Sequence, residues 1–121
     1  MEKTSRFQEL VAAAKKNVTE IAPAEAKKEV ERGGAVLIDV READEWDEGH
    51  AAAAKHFSRG TIELEIEDAV PDSNQPIICY CGGGGRSALV AENLGKMGYT
   101  NVRSLAGGFK AWTQAGFETQ K

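Results

Sequence analysis

"PIICYCGGGGRSALVAENLGKMG", residues 76 to 98, runs from an apolar stretch through four consecutive glycines into a segment with helical apolar spacing. Pro76 to Cys81 reads as a strand. Leu89, Val90, Leu94 and Met97 fall on one face of a helix over 87–98, with Gly98 as its stop. Glycine gives up more backbone freedom on folding than any other residue. Four in a row therefore mark either a slack linker or a tight loop that turns its main chain toward something. A strand directly before and a helix directly after leave no place for a linker.

Working outward, strands and helices alternate along the whole chain. A helix is expected over 5–17 from the spacing of Phe7, Leu10, Val11 and Ala14, with Thr4 or Ser5 as N-cap. A short strand at 18–21 follows, then a helix from Pro23 to Arg32 stopped by Gly33 and Gly34. "AVLIDV" at 35–40 has the continuous apolar character of a strand buried on both faces. A short acidic helix over 42–50, a strand around 54–57 and a helix over 61–70 lead back to the opening stretch. Beyond it come a strand at 101–105, a Gly107-Gly108 turn and a helix through Trp112 to Ala115. This order predicts an α/β fold: a five-stranded parallel sheet with helices on both faces and an extra N-terminal helix. Two parts are expected, an amphipathic helix over 1–17 and the α/β domain over 18–121.

At 121 residues, one domain of this size buries enough surface to fold without disulfides or metal. The net charge of −4 and the lack of a basic, aromatic-interleaved patch argue against nucleic acid as a partner. Charges scattered through residues 1–18 and the lack of any run near 20 apolar residues argue against a signal peptide and a membrane span. A cytoplasmic protein is expected. Cys79 and Cys81 are too close along a strand for an unstrained disulfide, and with His50 and His56 they show no zinc-ligand spacing. Reduced thiols and no metal or other cofactor are the expectation.

In open α/β sheets, ligands bind beyond the carboxyl ends of the strands. Cys81 falls there. With a helix starting near Arg86, the amides of residues 82–87 converge at a helix N-terminus, where free N–H groups and the helix dipole favour an anion. A cysteine in such a cradle has its thiolate stabilised and its nucleophilicity raised. The same cradle holds an anion built on that sulfur, such as a persulfide. Arg86 adds a planar fork of donors that fixes either the loop or a bound oxyanion. No histidine stands locally as a base.

"LIDVREADEWDEGH" at 37–50, "CGGGGRS" at 81–87 and "LAGGFKAW" at 105–112 together resemble the rhodanese family of sulfurtransferases, in its motif order and over most of the chain. The resemblance implies that Cys81 accepts a sulfane sulfur, becomes a persulfide and passes the sulfur on. It makes Gly82, Gly83, Gly84, Gly85, Arg86 and Ser87 the cradle, and Asp39 and Arg41 supports of the fold around it. It implies a small anionic donor, thiosulfate or polysulfide, and as acceptor cyanide or a thiol, including a protein thiol such as thioredoxin. Related phosphatases and arsenate reductases carry five residues between cysteine and arginine. Here there are four, which favours sulfur transfer. A non-catalytic binding or regulatory module of the same fold is the alternative.

Arg59 either points its charge at an anionic donor or lies in solvent. His50 and Cys79 are expected to be structural, Phe109 and Trp112 to pack in the core, and the acidic run at 42–48 to form a solvated helix face. "GHAAAAKHF" departs from the family where a branched aliphatic and, two positions on, a glycine are usual; Ala51 and Ala53 stand there instead.

Overall fold

The computed structural model describes residues 4–121. Its central strands are the two apolar runs. β2 (Val36–Asp39) and β5 (Ile77–Tyr80) lie side by side in parallel, with Val36 opposite Ile77 and Asp39 opposite Tyr80. β6 (Val102–Leu105) flanks β5, and β1 (Thr19–Ile21) flanks β6. β4 (Lys55–His56) closes the other edge, giving the order β1-β6-β5-β2-β4 with every pairing parallel.

Side chains alternate across a strand, and here both faces are buried. On β5, Ile77 and Cys79 join a core with Ile38, Val40, Ile62, Ile66, Val90 and Leu94 on one side. Ile78 and Tyr80 join Leu37, Ala26, Leu105 and Trp112 on the other. Ile77 and Ile78 are both fully buried, worth about 1.5–3 kcal/mol each in hydrophobic transfer. The first core is covered by α4 (Ile62–Ala69) and α5 (Gly85–Lys96), the second by α2 (Pro23–Glu31) and α6 (Gly108–Gln114).

α1 (Arg6–Lys15) packs on α5. Ser5 is its N-cap, accepting from the Gln8 amide while the Gln8 side chain accepts from the Ser5 amide. α3 (Ala43–Glu48) follows β2 and carries the acidic run. Two short elements lie outside the sequence expectation: β3 (His50–Ala51) pairs antiparallel with β7 (Thr119–Gln120) and pins the chain end beside the main sheet. No helix among the described residues is long and apolar enough to cross a membrane.

Candidate active site

Cys81 follows β5 directly, at the carboxyl edge of the sheet, with its side chain on the α5 face. Its Sγ accepts from the main-chain N–H of Gly84 at 3.1 Å and of Ser87 at 3.3 Å, and lies 3.4 Å from Ser87 Oγ. The loop's carbonyls face the other way. Cys81 O accepts from Phe109 N–H at 2.7 Å and Gly82 O from Lys110 N–H at 3.1 Å, so the first turn of α6 anchors the loop from outside. Amides converge on the sulfur because the opposing oxygens are already engaged.

The four glycines have different reasons to be glycine. Gly84 is the N-cap of α5 with φ +104, in the left-handed region. Gly85 faces α1: a β-carbon there would touch Val11 at 3.4 Å and Phe7 at 3.5 Å. A β-carbon on Gly82 would stand 3.3 Å from the Arg86 guanidinium, and one on Gly83 would meet open space.

Cys81 is 1% exposed. Burial pushes its thiol up, but hydrogen bonds from the Ser87 hydroxyl and from the amides of Ser87, Gly84 and Gly83 outweigh this, and Cys81 titrates below the ordinary thiol value. Cys79 shares that face without such donors. Burial, with the Cys81 charge adding to it, pushes Cys79 up to about 12, so it stays a thiol and packs in the core.

Arg86 forks onto Glu45 of α3, Nη1 to Oε1 at 2.7 Å and Nη2 to Oε2 at 3.0 Å. The Arg86 hydrogen bond, against some desolvation, holds the Glu45 carboxyl at about 2. Glu45 Oε1 also accepts from the Glu42 amide at 3.1 Å, while the Glu42 carboxylate caps the Glu45 amide. Of the acidic run, Glu45 is thus a fastening between α3 and the loop, and not merely part of a solvated face.

Asp39, fully buried, and Arg41, 6% exposed, form an ion pair beneath the site, with Arg41 Nη2 2.8 Å from Asp39 Oδ2 and 2.7 Å from the Gly49 carbonyl. The Arg41 guanidinium lies 4.4 Å from the Phe109 ring centroid, which links the pair to α6. His50 is buried, stacked on Trp46 and bonded through Nδ1 to the Trp46 carbonyl at 2.9 Å. Arg59 donates its main-chain N–H to the Val40 carbonyl at the same sheet edge, with its side chain exposed. Ala53 adopts φ +71, a left-handed conformation that favours the glycine usual there in the family.

Two residues of this site were not legible as such in the sequence. Glu45 lies 41 positions from Arg86; the only local signal is its place three residues after Glu42, a capping-box spacing. Ser104 on β6, whose hydroxyl is 2.8 Å from Ser87 Oγ, becomes visible only once the strand register is known. Among the described residues no group of three His, Cys, Asp or Glu side chains is placed to hold a metal.

The Rhodanese-like domain family matches residues 22–115. A thiosulfate sulfurtransferase GlpE of Coxiella burnetii is 37% identical over 93 residues, covering 77% of this chain and 85% of the relative. Among solved structures, a Rhodopseudomonas palustris protein of unknown function, described as a "Possible Tyrosine Phosphatase", superposes with TM-score 0.87 at 26% identity over 99% of both chains. The polysulfide-sulfur transferase homodimer of Wolinella succinogenes gives TM-score 0.81 at 30% identity, covering 94% of this chain and 86% of that one. The chain belongs to the rhodanese-like family. Its sulfurtransferase relatives, similar over most of its length, make it an enzyme of the rhodanese type.

Proposed function

We propose that the protein moves a sulfane sulfur from a small anionic donor to a thiophilic acceptor through a persulfide on Cys81. The cradle on Cys81 Sγ supports this most directly: two amides and a hydroxyl converge on a buried sulfur at the mouth of a helix. The thiolate attacks the outer sulfur of the donor, forming a new S–S bond while the donor's own S–S bond breaks. Thiosulfate leaves as sulfite, and a polysulfide leaves one sulfur shorter. The negative charge passes to the outer persulfide sulfur, where the free N–H groups of the loop and the α5 dipole stabilise it. Cyanide or a thiolate then takes that outer sulfur, and the Cys81 thiolate is restored.

Relatives are named for thiosulfate and for polysulfide, and both are proposed donors. The glycines give the loop no side-chain charge, so recognition falls to the backbone and to exposed cations around it, Arg59 among them. A protein thiol such as thioredoxin fits as acceptor. Two unbridged cysteines suit a reducing, cytoplasmic setting. Phosphoryl chemistry is disfavoured by the loop length, four residues between Cys81 and Arg86, and by the engagement of the Arg86 fork with Glu45.

Incubation with thiosulfate or polysulfide should add the mass of one sulfur atom to a peptide containing Cys81, removable by cyanide with release of thiocyanate. Cys81→Ser should abolish both and Cys79→Ser should retain them. Transfer surviving in Cys81→Ser would defeat the mechanism. A wild-type protein that carries no sulfur from either donor would leave the binding-module reading.

A further inference from the structure

Ser87 Oγ sits between two partners, Cys81 Sγ at 3.4 Å and Ser104 Oγ at 2.8 Å, and both serines are fully buried. Among the described residues Ser104 Oγ has no other hydrogen-bond partner. Each hydroxyl carries one hydrogen, so the three heteroatoms of this chain share two links.

With Cys81 as thiolate the chain closes. Ser104 donates to Ser87, Ser87 donates to the sulfur, and no hydrogen is left over. With Cys81 as thiol a third hydrogen enters, and whichever way the groups rotate, one buried O–H or S–H in the chain loses its acceptor. Burying a polar group without a partner is costly. Links in a chain also polarise one another. The count therefore favours the ionised sulfur, and the Ser104 donation strengthens that preference by polarising the Ser87 O–H toward it. Without that donor, Ser87 still reaches the sulfur but donates to it more weakly.

We propose that Ser104 is a positioning residue for the Cys81 chemistry: its hydroxyl, by donating to Ser87 Oγ, orients and polarises the single Ser87 hydrogen toward the Cys81 sulfur. Ser104 touches no reacting atom and acts through Ser87. It reaches this place because β6 pairs with β5 in a register that sets Ser104 beside Cys79, one strand from the loop. The proposal rests on Cys81 being the reacting atom of the proposed function.

Other charged or titratable groups near the sulfur are Cys79 on β5, Arg86 of α5 with its partner Glu45 on α3, and Lys15 of α1 near Gly83 and Gly85. The Asp39–Arg41 pair lies toward the Tyr80 face, α4 presents Ile62 and Ile66, and α6 meets the loop through main-chain N–H groups. None of these contacts either serine hydroxyl.

The test is the pH midpoint of thiolate formation at Cys81, read by ultraviolet absorbance against Cys81→Ser as blank, with no sulfur donor present. Ser104→Ala should raise the midpoint by up to roughly half a unit, up to about a threefold loss of thiolate below it. Ser104→Thr should keep the wild-type midpoint. In a Ser87→Ala background, Ser104→Ala should add nothing, since its effect passes through Ser87. An unchanged midpoint in Ser104→Ala, an equal shift in Ser104→Thr, or an undiminished shift in the Ser87→Ala background would each overturn the proposal. Because the reading needs no donor, it is independent of whether Cys81 carries sulfur. Transfer surviving in Cys81→Ser would overturn the function and leave these midpoints as measured.

Discussion

Gly108 stands so close to Cys81 that a β-carbon built on it would lie 2.5 Å from the Cys81 carbonyl oxygen and 2.7 Å from that of Gly82. Its φ of +60 excludes side chains for a second reason. This approach lets Phe109 and Lys110 donate to the loop, so Gly108→Ala should push the loop off α6. The expected result is a loss of about 1–3 kcal/mol from overpacking and a fall in sulfur transfer on the order of a hundredfold from the displaced nucleophile. Gly95→Ala in α5 is the control: its β-carbon meets nothing within 4 Å, and it should stabilise by up to about 1 kcal/mol. Denaturant midpoints and transfer rates measure both.

Within the loop, Gly83 and Gly84 should behave oppositely. Gly83→Ala enters open space at an ordinary φ and should change stability by no more than about 0.5 kcal/mol with transfer retained. Gly84→Ala must place a side chain at φ +104, costing about 1–2 kcal/mol and disturbing the amide that reaches Sγ. Equal effects at the two positions would contradict the conformational reading.

The Glu45–Arg86 fastening carries a pH signature. Glu45 is held at about 2 in the folded chain against an ordinary 4.5. A depressed carboxylate contributes stability that is fully present above the unfolded value and lost as pH falls toward the folded one. Wild type should therefore exceed Glu45→Gln by a constant margin above about pH 5, and the margin should shrink between 4.5 and about 2. Both partners are about one-third exposed, so solvent screening keeps the margin small. Urea midpoints across this range would show it.

Removing one partner of the Asp39–Arg41 pair should be far more damaging. Asp39→Asn leaves the Arg41 charge buried without its counter-ion, at a cost of about 3–5 kcal/mol, seen as a lowered melting temperature. Arg41→Lys, with Asp39 kept, should also destabilise, because a lysine cannot span both Asp39 oxygens and the Gly49 carbonyl as the guanidinium does.

Ala53→Gly should stabilise the protein. Ala53 holds φ +71 on the exposed turn after β3, and relieving that strain should return about 1 kcal/mol, net of the added freedom of the unfolded chain. A rise in the denaturant midpoint with unchanged slope is the expected outcome.

Much of this architecture is legible because it rests on local patterns. β2 and β5 are buried on both faces and so read as unbroken apolar runs. The glycine loop announces itself, and the helix expected over 87–98 lies at Gly85–Lys96. β3 and β7 escape because two residues each are too few to show an alternation, and their pairing joins His50 to Gln120 across most of the chain. Ala53 was visible as a departure, though not that its backbone would keep a glycine's conformation. Glu45 and Ser104 escape for a deeper reason. Their meaning lies in partners brought together by the fold, and neither carries a local pattern that names its partner.

The packing of Phe7 and Val11 on Gly85 has a reciprocal side. α1 lies outside the segment that matches the family, residues 22–115, yet it forms the rear wall of the loop that family membership rests on. The absent side chain at 85 leaves the room that Val11 and the half-exposed Phe7 ring border. A protein trimmed to the family boundary would keep every named motif and lose the buttress, leaving Gly85 facing water at the point where the loop becomes a helix. In this chain, contacts with the loop therefore extend beyond the pattern by which the family is recognised.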